Sequence, residues 1–106
     1  MKFSKIDASA AGDNTIVPAV TGKRIRVVGY TIIATAAVTA KWRSATTDIS
    51  GGMALAANGG AAPSVSVLSP GGTFGVLQTE PGEALNLNLS GAVAVGGHLV
   101  YIEVLV

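Results

Sequence analysis

Along residues 85–90, leucine and small polar residues alternate without a break: Leu85, Leu87 and Leu89 fall between Asn86, Asn88 and Ser90. A two-residue period puts one set on each face of an extended chain, so the segment predicts a half-buried β-strand. Gly96 and Gly97 interrupt the pattern. A dense run from His98 to Val106 predicts a closing strand. Leu99, Tyr101, Glu103 and Leu105 share one of its faces, opposite His98, Val100, Ile102, Val104 and Val106. Lys23 to Thr35 predicts the first long strand. Simple alternation groups Arg24, Arg26, Val28, Tyr30 and Ile32 on one face, and Ile25, Val27, Gly29, Thr31 and Ile33 on the other. Both faces are partly apolar, so this strand is expected to be covered on both sides over part of its length. Its arginines point to a rim or to a partner.

The alanines of residues 36–44 admit a helix. Val38, Thr39 and Trp42 favour a strand, and neither a cap nor a helical stripe is visible. A strand is therefore expected, with Ala40, Trp42 and Ser44 opposite Lys41 and Arg43. Shorter strands are expected at residues 1–9, as an edge, and at Thr15–Val17, Ser64–Leu68 and Thr73–Gln78. Residues 53–57 fit a short strand or one turn of helix. Asn58–Gly60 and Pro81–Gly82 read as turns. The Gly/Ala-rich stretch 50–62 reads as an exposed loop or arm. Punctuation by glycine and proline leaves segments too short for βαβ units. The expectation is an all-β, single-domain antiparallel β-sandwich over residues 1–106, a jelly roll of about eight strands. Residues 1–15 form an N-terminal strand or an arm.

Composition changes this picture in one respect. The 106 residues are 49% hydrophobic and only 12% charged, against a usual charged share of about 25%. Few charges are left to cover the outside. Either much of the surface is buried in an assembly, or it is built of Ser, Thr, Asn and Ala. The net charge of +1 argues against nucleic-acid binding, which needs a clearly basic face. All seven Lys and Arg lie in the first 43 residues, so a basic side and a mildly acidic side are expected. The absence of cysteine excludes disulfides and thiolate metal sites. Residues 1–7 lack the apolar run of a signal peptide, and no stretch approaches 18 uninterrupted apolar residues. An intracellular product that ends in a particle, with no membrane partner, is expected.

Candidate chemistry is sparse. The one histidine, His98, has no triad-like signature around it. Glu80 and Glu83 flank one turn and read as solvated acids, not as a hydrolytic pair. His98 and Glu103 are five apart on one strand, hence on opposite faces and unsuited to one metal. Gly51-Gly52 and Gly71-Gly72 lack the Lys-Ser/Thr of a phosphate loop. No cofactor, metal or catalytic residue is expected, and the protein does not read as an enzyme. Trp42, the single Trp, is a core or interface anchor by default. Sugar binding through Trp42 or Tyr101 stays open.

The stretches Val17–Tyr30, Ala40–Ser44, Glu83–Ser90 and Gly97–Glu103 resemble small uncharacterised proteins of tailed phages and prophages. That resemblance spans most of the chain and implies a virion component: a capsid decoration or cement protein, or a module of a head or tail fibre. On the first reading, a homo-oligomer, with a trimer favoured, sits on the outer surface of the major capsid protein lattice and stabilises it by linkage. Lys2, Lys5, Lys23, Arg24 and Arg26 are then candidates for shell contacts, and Trp42 and Tyr101, with the terminal strand, for a subunit interface. The alternative is a fibre module that binds a receptor or a glycan.

Overall fold

The computed structural model describes residues 2–62 and 75–105. They form ten strands: β1 (Lys2–Ala8), β2 (Gly12–Val17), β3 (Lys23–Ala34), β4 (Val38–Ser44), β5 (Thr47–Asp48), β6 (Met53–Leu55), β7 (Gly60–Ala61), β8 (Leu77–Gln78), β9 (Leu85–Leu89) and β10 (Val95–Leu105). Every pairing is antiparallel. The first sheet runs β1-β10-β3-β7, with β8 also on β3; the second runs β2-β9-β4-β5, with β6 also on β4. β7 and β8 lie end to end along one edge of β3, and β5 and β6 do the same along β4. Each sheet thus has four strand positions. The domain is an all-β, two-sheet antiparallel sandwich.

Its core follows the alternation. Leu85, Leu87 and Leu89 of β9 and Ala40 and Trp42 of β4 face Ile25, Val27, Ile32, Val95 and Leu99 of the first sheet, all nearly or fully buried. Trp42 meets Tyr30 from the opposite sheet edge-to-face, with ring centroids 5.1 Å apart. One end of the sandwich is pinned by two hydroxyls. Thr79 Oγ1 accepts the Ile25 N–H at 2.9 Å. Ser44 Oγ accepts the Glu80 N–H at 2.9 Å and donates to Glu83 Oε1 at 2.6 Å. Both hydroxyl groups are buried, so each satisfies a backbone donor that would otherwise be costly to enclose.

Two sequence expectations need correction. Simple alternation along β3 fails at Val28. Gly29 pairs with Val100 and Val27 with Tyr101, so Val28 is an extra residue in the ladder. Such a bulge shifts the side-chain parity beyond it. Ile32 and Tyr30 therefore turn inward, away from the face of Arg24 and Arg26, and Ile33 turns out to 54% exposure. Residues 50–62 do not form a free arm. β6 pairs with β4 and β7 with β3, so this stretch crosses from one sheet to the other. Residues 2–8, where an edge strand was one of the expectations, form the outermost strand of the first sheet and pair along their whole length with β10. The expected strand Ser64–Leu68, the Gly71-Gly72 pair, the start of the expected strand Thr73–Gln78 and the last residue, Val106, lie outside the described residues.

Candidate functional site

The antiparallel register of β1, β10 and β3 gathers residues from both ends of the chain. Lys2 pairs with Tyr101, which pairs with Val27; Arg26 pairs with Ile102, Arg24 with Val104, and Lys23 with Leu105. Five of the expected contact residues, Lys2, Lys23, Arg24, Arg26 and Tyr101, thus converge on one end of the first sheet. They divide between its faces. Lys2, Lys23 and Tyr101 share the inner face with Glu103, while Arg24 and Arg26 stand on the outer face. The four cations there oppose two carboxylates, Glu80 and Glu103, leaving a formal +2. The chain as a whole carries +1, so the remainder is mildly acidic. Lys5 lies farther along, opposite His98. Trp42 is not part of this constellation. Its ring has no accessible surface and cannot touch a partner; of its two expected roles, it fills the core one.

On the inner face, Glu103 sits between two ammonium groups, 3.1 Å from Lys2 Nζ and 3.6 Å from Lys23 Nζ. The Lys2 hydrogen bond, reinforced by the charges of both lysines, holds its carboxyl below the ordinary 4.5 against a smaller opposing effect of desolvation. On the second sheet, the Lys41 hydrogen bond and the charges of Lys41 and Arg43 likewise hold Asp48 below 3.8, again opposed by desolvation. Both carboxyls are thus easier to ionise folded than unfolded. Their contribution to stability is present above the ordinary values and is lost as pH falls through the lowered ones. The melting temperature should therefore hold level above the ordinary carboxylate values and drop as pH falls below them. Thermal unfolding on both sides of those values checks this, and Glu103→Gln should make the drop shallower.

The outer faces of the two sheets differ in kind. On the first, Phe3 pairs with Val100, and Ile102 and Val104 continue the line beside Arg26 and Arg24. Phe3 is 77% exposed and the three aliphatic residues of β10 are half-buried. Arg26 Nε donates to Gln78 Oε1 at 2.8 Å, which holds the guanidinium against β8. Arg24 lies 3.9 Å from Glu80, a loose and solvated pair. On the second sheet, β4 and β9 present a polar ladder. Arg43 reaches Asp13 at 3.3 Å and Asp48 at 2.9 Å; Lys41 reaches Asp48 at 3.1 Å; Asn88 donates to Asp13 at 2.8 Å. Two bases and two acids neutralise one another there. Among the described residues, the polar groups of the second face engage one another, whereas the first face carries an apolar strip beside its arginines, a composition suited to contact.

Sequence reasoning named the basic residues but missed Phe3 and the Val100–Ile102–Val104 line. The signal was present, since β10 is apolar on both faces, although only one of them can meet the second sheet. Residues with possible chemistry stand apart from one another. His98 is exposed on the outer face, opposite Lys5 and Thr31, and Glu103 lies on the inner one. Glu83 is engaged by Ser44, and Glu80 faces Arg24. Among the described residues, no three His, Asp or Glu side chains come together as a metal site. Of the described aromatics, only Phe3 is largely exposed; Tyr30 and Trp42 are in or against the core, and Tyr101 packs partly onto it. No family model matches this chain, and neither a curated protein nor a solved structure is detectably similar to it.

Proposed function

We propose that this protein is a virion structural protein, a capsid decoration or cement protein that seats the outer face of its first sheet on the major capsid lattice. The observation that carries this reading is the contrast between the two outer faces: an apolar strip of exposed Phe3 and half-buried Val100, Ile102 and Val104, with Lys5, Arg24 and Arg26, on one, and a self-neutralised polar ladder on the other. Such a strip is suited to a partner surface that is partly apolar and acidic. Binding that favours the assembled lattice over its free subunits stabilises the lattice by linkage, with no chemistry required. Self-association on the shell multiplies individually weak contacts. The resemblance to small phage and prophage proteins supports the same assignment, and with it a location on the capsid surface.

The proposal extends to topology. Strand pairing proceeds inward from the two ends of the chain, β1 with β10, β2 with β9, β3 with β7 and β8, and β4 with β5 and β6. A long hairpin rolled around the core pairs its strands in that sequence, and this supports a jelly roll.

Co-sedimentation with empty capsids, preceded by light scattering of the free protein, tests the reading. The chain should pellet with shells. Replacing Arg24 and Arg26 together by Ala should lower occupancy about tenfold while the protein stays folded. Unchanged occupancy removes these arginines from the contact. A chain that ignores shells but scores on a glycan array is a fibre module instead.

A further inference from the structure

β1 is the outermost strand of the first sheet and pairs along one long edge only, with β10. Its seven residues keep an unbroken register and contain no proline. Bulges and prolines are two of the usual means by which a sheet edge is protected from pairing with another chain. Charge is the means left to β1, through Lys2, Lys5 and Asp7. Lys2 is tied back to Glu103. Lys5 and Asp7 are exposed on the outer face, two residues apart and opposite in sign, and neither forms an ion pair among the described residues.

Suppose a second copy pairs with this edge in antiparallel fashion. Facing residues share a face of the combined sheet, and the charges then select the register. A two-fold axis at Lys5 sets lysine against lysine. An axis at Asp7 sets aspartate against aspartate. An axis at Ser4 sets Lys5 against Phe3 and leaves Asp7 beyond the strand. An axis at Ile6 sets Lys5 against Asp7 of the second copy and, by symmetry, Asp7 against its Lys5, with Ser4 facing Ala8. Only this last register turns the edge charges from a guard into a pair of reciprocal attractions.

We infer that the protein forms a two-fold dimer by antiparallel pairing of its β1 edges, centred on Ile6, with the two copies of the first sheet merged into one. This goes beyond the decoration reading and does not depend on it. A two-fold contact of this kind closes on itself and differs from the three-fold contact expected from the sequence.

Sedimentation velocity on the intact chain at low salt tests the inference. The parent protein should sediment as a dimer. Lys5→Asp places two acids together at both symmetric positions and should raise the dimer Kd about tenfold or more. Adding Asp7→Lys to that variant restores reciprocal pairing and should return the Kd to within about threefold of the parent. Circular dichroism checks that each variant remains folded, as is expected for changes at exposed positions. A monomeric or trimeric parent overturns the inference. So does a dimer indifferent to Lys5→Asp, or one that the double exchange fails to restore.

Discussion

Gly97→Ala should destabilise the domain by about 3 kcal/mol or more. Gly97 lies within β10, opposite Ile6 on one side and Ile32 on the other. Its φ of +155° is one that side-chain-bearing residues rarely adopt. In that conformation a Cβ points sideways along the sheet instead of off its face, and would fall 1.8 Å from the Thr31 carbonyl oxygen. The obstructing atom is backbone in the neighbouring central strand, so no rotamer change relieves the clash. The ladder between β10 and β3, the longest in the domain, has to shift. A loss of that size lowers the melting temperature by roughly 10–20 °C in a domain of this length. Gly91→Ala is the matched control, because a Cβ there meets nothing within 4 Å, and it should change stability by less than about 0.5 kcal/mol. Urea unfolding followed by the fluorescence of the single Trp checks both variants. Equal stability of the two would show that β10 can relocate at little cost.

Trp42→Ala should cost about 3–5 kcal/mol, the usual range for deleting a large buried aromatic. The ring is fully buried, packs edge-to-face on Tyr30, and is the largest side chain in the space between the sheets. Its removal leaves a cavity that two hydrogen-bonded sheets cannot collapse to fill. Trp42→Phe keeps a ring against Tyr30 and should cost clearly less. The measurement is urea or thermal unfolding followed by circular dichroism, since the variants lack the tryptophan signal. A small effect of Trp42→Ala would mean that the core repacks from Leu87 and its neighbours. Because Trp42 contributes nothing to the surface, this loss is separable from lattice binding: Arg24 and Arg26 should affect attachment and leave the fold intact, and Trp42 the reverse.

Much of the strand pattern was legible in the residues. The leucine–asparagine alternation of β9 reports which face meets the other sheet, because Leu85, Leu87 and Leu89 turn to it and Asn86 and Asn88 turn away, although Asn86 is buried as well. Ala40, Trp42 and Ser44 of β4 lie inward for the same reason, and Lys41 and Arg43 outward. The alternation of β10 also holds. The faces of β3 were legible only as far as Val28. A bulge is a property of two strands in register, and nothing within β3 itself marks the extra residue. The strands β5, β6, β7 and β8 are two or three residues long, too short for a period to show. They exist because β4 and β3 offer them edges. The candidate site was half legible. Lysine and arginine in the first 43 residues announced a basic side, but the segregation into an inner Lys2–Glu103–Lys23 cluster and an outer strip with Arg24 and Arg26 depends on pairing.

By itself, then, the sequence determined the all-β class, the inward faces of β4, β9 and β10, and the place of Trp42 among anchoring residues. These rest on local periodicity and residue size, which act over a few positions. The tertiary structure alone decided that Ile32 points inward past the bulge and that Gly97 must stay a glycine. It also decided that Lys2 meets Glu103 across 101 positions of chain, and that β1 is left as a charged, unpaired edge. Each of these is set by which strand lies beside which. That choice is made by burying the whole core at once, and no local stretch of residues contains it.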